Sequence, residues 1–449
     1  MARLPTVAIV GRPNTGKSRL FNRLLGRRKS IVSDIPGTTR DRVAARVSGG
    51  RTDYLLVDTG GIGGGTRDRD LEDDVEAQSL LALENADVIL FTVDSRGELT
   101  ASDYTVIDHL RRKPKRHVPV ILVLTKCDNP AATDAILPPF YALGISEEII
   151  PVSAPHNLGI DALQNAVEDA LEKLHFARAD DGAAPLASGG PRIAIVGRPN
   201  VGKSSIINAF LHASQRATSG LLVSDIPGTT RDATDTVVVS HGREYTLVDT
   251  AGIRRAKGTK DEIDMYAHLR SLQAIGECDI AVLAVDASLP MTKLDKRIAG
   301  MAIEEGKGLV ILANKIDLVL EGKRGETLQA LASAFAFCRY APILPCSAAT
   351  REGLRSLFDI VHTIEENRSR RIPTKELIRW FEETVEGQPL SSVGSSKHIT
   401  QAEELPPTFV LFVKNPKQVQ VSQLRHLDNA IRRSFDFTGT PLRWVTKTA

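Results

Sequence analysis

The sequence predicts an α/β protein with two doubly wound, mostly parallel sheets, followed by a small α+β domain. A repeat is the first observation: residues 8–18 read AIVGRPNTGKS, and residues 194–204 read AIVGRPNVGKS. Lys203 follows Lys17 by 186 residues, so the repeat has the size of a whole domain rather than of a solenoid unit. Short runs that are apolar along their whole length are the second observation, because they indicate strands covered on both faces.

Two further motifs occur once in each half, in the same order. DIPGTTRD spans residues 34–41 and again residues 225–232. LVDTGGI spans residues 56–62, and the closely similar LVDTAGI spans residues 247–253. One such motif alone is a weak signal, whereas a set of three in the same order twice indicates that a whole functional domain has been duplicated.

Each half alternates short β-rich runs with longer helical stretches, as expected of a parallel sheet covered by helices. The predicted strands of the first half are residues 7–10, 54–58, 88–93, 120–124 and 149–152. Those of the second half are residues 193–196, 245–249, 280–285, 309–313 and 343–345. Several motifs directly follow these strands, at the edge where ligands bind in such sheets.

Composition predicts the domain boundaries. Residues 177–191 are rich in Ala, Gly and Pro and have no apolar period, which is typical of a flexible linker. After about residue 370 the motifs stop; helices are expected at 375–385 and 422–435, and strands at 408–413 and 442–445. We therefore divide the chain into residues 1–175, a linker at 176–190, residues 191–370 and residues 371–449.

The overall composition excludes several classes of protein. The chain has 449 residues, 42% of them hydrophobic, and a formal net charge of +2, which is ordinary for a globular protein and does not indicate a nucleic-acid binder. Its four cysteines form no C-x-x-C pair, which argues against a metal site or a disulfide framework. No apolar run approaches the ~20 residues of a membrane span, and the first residues do not resemble a signal peptide. We expect a cytoplasmic protein with no membrane partner.

The repeated loop has the chemistry of a phosphate site. Gly11 and Gly16 allow the backbone to curl so that N–H groups point at phosphate, and the helix that follows adds its positive end. Lys17 supplies a cation for the β- and γ-phosphates, and Ser18 supplies a hydroxyl ligand for Mg²⁺. In the second half the same roles fall to Gly197, Gly202, Lys203 and Ser204.

A carboxylate and a threonine complete the expected magnesium site. Asp58 ends a predicted strand as the first residue of D-x-x-G, and Gly61 can offer its backbone N–H to the γ-phosphate. Thr39 precedes them and can bind Mg²⁺ only while the γ-phosphate is present, which predicts an order–disorder switch. The matching residues of the second half are Asp249, Gly252 and Thr230.

Two loops distinguish guanine from adenine. In the second half Asn314 and Lys315 precede Asp317, whose carboxylate can accept hydrogen bonds from the ring N–H and the amine of guanine. The stem of Lys315 can cover the base, and Ser347-Ala348 can offer a backbone N–H to its oxygen. The first half has Thr125 in place of Asn314; its other matching residues are Lys126, Asp128, Ser153 and Ala154. Loss of the amide predicts weaker nucleotide binding or faster exchange in the first half.

With its paired GRPNxGKS, PGTTRD and DTxGI motifs, the chain resembles the Der/EngA family of bacterial GTPases over essentially its whole length. The resemblance implies two P-loop GTPase domains that bind GTP and GDP, and a KH-like C-terminal domain, to which the segments PPTFVLFV and FTGTP are similar. It also implies GTP hydrolysis, a role in assembly of the large ribosomal subunit, and contact with that subunit and its rRNA. We expect a monomer.

The resemblance also implies a set of nucleotide-contacting residues, position by position. In the first half these are Gly11, Arg12, Pro13, Asn14, Thr15, Gly16, Lys17, Ser18, Asp58, Thr59, Gly60, Gly61, Ile62, Thr125, Lys126, Asp128, Ser153 and Ala154. In the second half they are Gly197, Arg198, Pro199, Asn200, Val201, Gly202, Lys203, Ser204, Asp249, Thr250, Ala251, Gly252, Ile253, Asn314, Lys315, Asp317, Ser347 and Ala348. The residues expected to act in hydrolysis are Lys17, Thr39, Gly61, Lys203, Thr230 and Gly252.

A hydrophobic residue, Ile62 or Ile253, follows each D-x-x-G, where Ras-like enzymes have the glutamine that orients water. In this respect the chain resembles potassium-activated GTPases, which share an asparagine in the phosphate loop, here Asn14 and Asn200. A K⁺ ion near the β- and γ-phosphates can neutralise the charge that develops there. The alternative is that these asparagines only brace the loop backbone.

Other interpretations stay open at this stage. The C-terminal region lacks the G-x-x-G grip of RNA-binding KH domains, so Arg425, Arg432 and Arg433 either face rRNA or are simply solvated. A GTPase of tRNA modification shares the TTRD and hydrophobic features but carries one GTPase domain. A scaffold whose first domain binds nucleotide without turnover is the non-enzymatic alternative, with Thr125 as its motivation.

Overall fold

The computed structural model describes residues 4–25, 44–48, 50–58, 86–111, 118–129, 137–141, 143–146, 148–176, 190–214, 221–224, 235–248, 270–387 and 398–448. These residues fall into two compact units, one that holds residues 4–176 and one that holds residues 190–448. The linker predicted at residues 176–190 lies almost wholly outside the described residues. In the part of the chain that the structure describes, no helix is long and apolar enough to cross a membrane.

The first unit contains a six-stranded sheet in the order β2-β3-β1-β4-β5-β6, parallel except where β2 pairs with β3. Its strands are β1 (Thr6–Val10), β2 (Ala44–Val47), β3 (Tyr54–Asp58), β4 (Val88–Asp94), β5 (Val120–Thr125) and β6 (Ile149–Pro151). The helices described are α1 (Lys17–Leu25), α2 (Ala101–Arg111), α3 (Pro138–Tyr141) and α4 (Ile160–Lys173).

The central strand of this sheet is buried on both faces. Val7 and Ile9 of β1 pack in one apolar cluster with Leu20 of α1, whereas Ala8 pairs with the opposite cluster, which contains Val106 of α2. Successive residues of a strand point to opposite faces, so a strand that is apolar throughout needs helices on both sides. This is the doubly wound arrangement that the uninterrupted apolar runs predict.

The second unit contains a seven-stranded sheet in the order β13-β12-β11-β7-β10-β9-β8. Its strands are β7 (Arg192–Val196), β8 (Leu221–Ser224), β9 (Thr236–Ser240), β10 (Arg243–Val248), β11 (Ile280–Asp286), β12 (Gly308–Asn314) and β13 (Ile343–Pro345). The pairs β8–β9 and β9–β10 are antiparallel, and the others are parallel. The α-helices described are α5 (Lys203–Ser214), α6 (Lys293–Glu304), α7 (Arg324–Ala334) and α8 (Ser356–Arg368).

The C-terminal domain has the element order helix, strand, strand, helix, strand. Its elements are α9 (Thr374–Gly387), β14 (His398–Glu404), β15 (Pro407–Val413), α10 (Val421–Ser434) and β16 (Arg443–Thr448). β15 is central, antiparallel to β14 and parallel to β16. Leu377 and Phe381 of α9 and Ile431 of α10 pack against Phe409 of β15 in one apolar cluster. The predicted helices and strands of this domain are therefore present, and β14 is an addition.

The C-terminal domain docks on the second sheet through residues 437–440, which we call the docking loop. Within it, Gly439 accepts a hydrogen bond from Leu309 N at the start of β12 (2.8 Å) and donates its own N–H to Tyr340 O (2.7 Å). Gly439 has φ +70, and a Cβ there would lie 2.3 Å from Ile364. Asn367 Nδ2 donates to Thr438 O at 3.2 Å. Glycine is therefore required at residue 439 because the Ile364 side chain of α8 leaves no room for a Cβ.

One arginine holds the docking loop in place. The Arg432 guanidinium donates to Phe437 O (3.0 Å) and Thr440 O (2.9 Å), and it lies 4.2 Å from the ring centroid of Tyr340. Its Nε also pairs with Asp428 at 2.8 Å. This side chain is committed to internal contacts, so the interpretation of Arg432 as part of an RNA-facing basic surface is wrong.

Candidate guanine-nucleotide sites

The two phosphate loops have the same backbone geometry. Gly11 and Gly197 have φ of +151 and +143, and Asn14 and Asn200 have φ of 66 and 64. A Cβ at Gly11 would lie 2.4 Å from the carbonyl oxygen of Thr92 in the adjacent strand. The first glycine is thus required by close contact with the neighbouring strand, and asparagine is among the few non-glycine residues that adopt the left-handed region readily.

The lysine of each loop points back into the loop. Lys17 Nζ donates to Gly11 O at 2.6 Å and to Arg12 O at 2.7 Å. Lys203 Nζ donates to Gly197 O at 2.8 Å and to Arg198 O at 2.7 Å. Burial lowers the pKa of each lysine from 10.5 to about 8, because desolvation disfavours the charged form.

The residues beneath the loops differ between the halves. In the first, Thr15 Oγ1 and Thr92 Oγ1 share a hydrogen bond of 2.9 Å, and both residues are fully buried. In the second, Val201 stands in the place of Thr15, and Ala284 lies against Gly197 as Thr92 lies against Gly11. A buried hydroxyl pair is therefore matched by an apolar pair, and each arrangement leaves no hydroxyl without a partner.

Thr125 and Asn314 connect the base-reading loop to the phosphate loop. Thr125 Oγ1 is 2.5 Å from Thr15 O, and Asn314 Nδ2 donates to Val201 O at 2.8 Å. The brace expected to be lost with the amide is thus replaced by a hydroxyl. Their second contacts differ: Asn314 Oδ1 accepts the backbone N–H of Ala348 at 2.9 Å, whereas Thr125 Oγ1 lies 3.0 Å from Val93 O in the neighbouring strand. Among the described residues, Thr125 has no corresponding bond to Ala154.

The lysines predicted to cover the base are held in similar ways, although only Lys315 is described as also donating to the phosphate loop, at Asn200 O (2.9 Å). Lys126 and Lys315 both have φ of 62, and each ammonium pairs with the aspartate that ends the preceding strand. Lys126 Nζ lies 2.5 Å from Asp94 Oδ2, and Lys315 Nζ lies 2.7 Å from Asp286 Oδ2. Asp94 and Asp286 were not among the predicted site residues; their position at strand ends of the carboxyl edge was the available signal.

The two base-reading carboxylates have different surroundings. Ser153 Oγ donates to Asp128 Oδ1 at 2.6 Å, and Arg96 pairs with Asp128 Oδ2. The hydrogen bond from Ser153, followed by Arg96, holds the pKa of Asp128 below its usual value. Asp317 is exposed and, in the part of the chain that the structure describes, makes no hydrogen bond or ion pair.

A cavity of about 590 Å³ joins these groups in the first half. Its lining includes Asn14, Lys17 and Ser18 of the phosphate loop together with Lys126 and Asp128 of the base-reading loop. Phosphate and base residues that lie more than a hundred positions apart in sequence therefore face one space, which is of the size typical of small-molecule sites.

A buried aspartate, on α2 in the first half and on α6 in the second, pairs with the arginine that is the second residue of each phosphate loop. Arg12 Nε lies 3.0 Å from Asp103, and Arg198 Nε lies 3.7 Å from Asp295. Thr292 and Asp295 form a capping box, and Thr100 bonds Asp103 in the same way. These aspartates were missed in the sequence; the T-x-x-D spacing at a helix start was the signal that could have found them.

Several predicted site residues lie outside the described residues. They are Thr39, Thr59, Gly60, Gly61 and Ile62 in the first half, and Thr230, Asp249, Thr250, Ala251, Gly252 and Ile253 in the second. Asp58, at the end of β3, is described and buried.

Two protein families match the chain. The family described as 50S ribosome-binding GTPase matches residues 6–126 and 192–315, and the KH-domain-like C-terminal domain of EngA bacterial GTPases matches residues 371–447. A protein called GTPase Der from Thermomicrobium roseum is 41% identical, an alignment that covers 98% of this chain and 95% of that relative. The chain belongs to the GTPase Der family. The two sheets described above are accordingly its tandem G domains, and the C-terminal domain is KH-like.

Other Der-family relatives are similar over the same extent. GTPase Der of Alkaliphilus metalliredigens is 40% identical, covering 98% of each chain. GTPase Der of Geobacillus kaustophilus is 38% identical, covering 99% of each chain. The likeness therefore extends through both G domains and the KH-like domain rather than resting on the phosphate loops alone.

Proposed function

We propose that the protein is a GTP-hydrolysing switch with two active sites that acts in maturation of the large ribosomal subunit. The observation that carries the proposal is the pair of phosphate loops, each joined through Thr125 or Asn314 to a base-reading carboxylate. Membership of a GTPase family supports hydrolysis, and the family match described as 50S ribosome-binding GTPase supports the large subunit and its rRNA as partners.

The phosphate loops support a division of labour within each site. Lys17 and Lys203, now held by loop carbonyls, would neutralise charge on the β- and γ-phosphates. Gly61 and Gly252 would offer backbone N–H groups to the γ-phosphate, and Thr39 and Thr230 would close over it. Asp128 and Asp317 would select guanine, and the α1 and α5 N-termini would stabilise the phosphates.

A magnesium ion fits the donor set of each site. Ser18 and Asp58 in the first site, with Thr39, offer hydroxyl and carboxylate oxygens, which are the ligands that Mg²⁺ takes in proteins. In the second site the residues that would hold it are Ser204, Thr230 and Asp249. The ion would supply charge neutralisation at the transferred phosphoryl group.

We also propose stimulation by potassium, with Asn14 and Asn200 as ligands. Asn14 is exposed and lines the cavity, which leaves its amide oxygen accessible to a cation. The left-handed backbone of both residues equally supports the bracing role, so the two interpretations are separated by experiment below. We further propose a cytoplasmic monomer, with domains at residues 1–175, 191–370 and 371–449 and a linker at 176–190.

The decisive experiment measures whether binding to the large ribosomal subunit depends on the bound nucleotide. The purified chain is sedimented with large ribosomal subunits in the presence of GTP, GDP or a non-hydrolysable GTP analogue. We expect co-sedimentation to depend on the nucleotide, and Lys17→Ala and Lys203→Ala to remove that dependence at their own sites. Binding that is the same in all three nucleotides would contradict a switch.

A second candidate is a chain in which only the second G domain hydrolyses GTP. Its motivation is the ion pair on Asp128 and the bond between Asn314 and Ala348, which has no described counterpart at Thr125. Lys17→Ala and Lys203→Ala, compared for steady-state GTP turnover, distinguish the two. Equal losses support two active sites, whereas a loss confined to Lys203→Ala supports a first domain that only binds nucleotide.

A further inference from the structure

Arg96 lies against the base-reading carboxylate of the first G domain. It pairs with Asp128 Oδ2 while Ser153 holds Oδ1, so both oxygens of the carboxylate are engaged. The side chains of Arg96 and Asp128 are 63% and 34% exposed, which places the pair at the surface. Arg96 also lines the cavity that contains Lys17 and Lys126.

The second G domain has the same local backbone without the arginine. Arg96 N donates to Asp94 Oδ1 at 3.1 Å, and Ser288 N donates to Asp286 Oδ1 at 3.0 Å, which makes Ser288 the counterpart of Arg96. Ser288 Oγ turns back onto the same aspartate at 2.6 Å. The position of Arg96 is therefore occupied in the second domain by a short side chain whose hydroxyl is bound to Asp286.

Arginine and guanine offer a carboxylate the same kind of edge. Guanine presents two neighbouring N–H donors, from its ring nitrogen and its exocyclic amine, and these need both carboxylate oxygens. A guanidinium is also a planar fork of N–H donors, and its positive charge strengthens each hydrogen bond to the carboxylate. Arg96 also lines the cavity that the base would enter, so its guanidinium and the edge of guanine compete for Asp128 Oδ2.

We propose that Arg96 is an intrachain competitor of guanine: its ion pair with Asp128 is displaced when the base binds to the first site. The inference rests on the proposed role of Asp128 as the guanine-reading carboxylate. Arg96 thus sets the affinity of the first site independently of the phosphate loop. Because the ion pair is exposed, its effect is limited to about three- to fivefold in Kd and is screened by salt.

Arg96→Ser, which introduces the residue of the second site, tests this in the full chain. A Lys203→Ala background restricts titration with a fluorescent GDP derivative to the first site. We expect the Kd for GDP to fall about three- to fivefold at low ionic strength, and the difference from the parent to shrink as salt is added. Arg96→Lys keeps a cation and is expected to lie between the two.

The reciprocal change gives a matched control. Ser288→Arg in a Lys17→Ala background brings an arginine to the second site and is expected to raise its Kd for GDP, again most at low salt. Both positions are in surface loops, and thermal melting of the nucleotide-free proteins checks that the fold is retained. A structural role for Arg96 would change the melting temperature but not produce opposite, salt-dependent shifts in the two sites.

Two failures are distinguishable. In the first failure, Arg96→Ser binds GDP no more tightly than its parent, although Asp128→Asn still weakens binding in the same background. This result would overturn the proposal that Arg96 competes with guanine. GDP binding that is insensitive to Asp128→Asn would overturn the assignment of the guanine-reading carboxylate, and the competitor with it.

Discussion

Thr125 and Asn314 hold the same position in the two G domains, but their hydrogen bonds differ in their partners. Both brace the phosphate loop, but only Asn314 also accepts a hydrogen bond from Ala348 in the neighbouring loop. A net hydrogen bond contributes roughly 0.5–1.5 kcal/mol, which corresponds to a factor of about three to ten in affinity if the loop must be ordered to bind. The first site is thus expected to bind more weakly for a definable reason.

Thr125→Asn should therefore tighten GDP binding at the first site by about three- to tenfold, the equivalent of one net hydrogen bond. The matched variant, Asn314→Thr, should weaken the second site by a similar factor. Equilibrium titration with a fluorescent GDP derivative, with the other site silenced at its loop lysine, measures both. Equal affinities of Thr125→Asn and its parent would show that the bond to the neighbouring loop does not contribute.

The buried lysines make nucleotide binding a proton-linked process. Burial lowers the pKa of Lys17 and of Lys203 from the ordinary value of 10.5 to about 8. Phosphates bring opposite charge, which raises the pKa again. The sign follows: at pH 8 each free lysine is about half protonated, and the bound form is fully protonated, so binding takes up protons.

Calorimetric titration with GDP at pH 8, in buffers of different ionisation enthalpy, should accordingly reveal uptake of about half a proton per site. Near pH 7 the uptake should fall to about a tenth, because both forms are then protonated. Lys203→Met should remove the contribution of the second site alone. Binding without proton uptake at pH 8 would mean that the lysines stay fully charged in the free protein.

Asn14→Gly and Asn200→Gly separate the two roles considered for the loop asparagines. Glycine adopts the left-handed conformation of these residues freely, so the loop should keep its shape and its GDP affinity. The amide oxygen is lost, so we expect each variant to lose the difference in turnover between K⁺ and Na⁺ at its own site. Stimulation by K⁺ that survives in both variants would leave the asparagines a purely conformational role.

At the scale of elements, β12 connects the KH-like domain with the second base-reading loop. Near the start of β12, the backbone N–H of Leu309 donates to Gly439 O of the docking loop. The last residue of the strand is Asn314. All seven residues of β12 are buried, so the strand is rigidly packed between its neighbours β11 and β13. The KH-like domain is therefore attached to the strand that carries the loop proposed to select guanine.

Arg432→Ala should loosen this attachment. The variant leaves the carbonyl of Thr440 without its arginine donor, which costs about 1–3 kcal/mol for a buried group, whereas Phe437 O keeps the bond from Thr440 N. Hydrogen exchange should increase at the docking loop and at the start of β12. Arg433→Ala, at the exposed neighbouring position, is the control and should leave exchange there unchanged. Equal exchange in the two variants would contradict the anchoring role of Arg432.

At the scale of the whole molecule, the fold was predictable wherever local pattern and packing agree. The apolar runs predict β1, β3, β4 and β5 because a strand buried on both faces contains few polar residues, such as Thr92 of β4. β14, with the sequence HITQAEE, was missed, since an edge strand with one exposed face carries no such run. The antiparallel strands β2, β8 and β9 were also missed, although β8 (LLVS) and β9 (TVVVS) contain short apolar runs.

Of the two sites, the sequence predicts the groups within motifs and not the contacts between them. Lys17 and Asp128 follow from their motifs, but the pairing of Arg96 with Asp128 joins residues on separate loops and has no local pattern. The replacement of one amide by a hydroxyl at Thr125 was recognised, yet its retained brace to Thr15 depends on a distance that only the fold fixes. Long-range polar contacts are the part of a site that spacing does not encode.

The docking loop has a consequence for inheritance. Removal of residues beyond 370 would strip Leu309 N–H and Tyr340 O of their partners and uncover Ile364, which is fully buried. A gene rearrangement that cut between the second G domain and the KH-like domain would therefore yield a damaged protein. Recombination is therefore expected to keep the second G domain and the KH-like domain together. A breakpoint that preserves both folds would lie before the second phosphate loop.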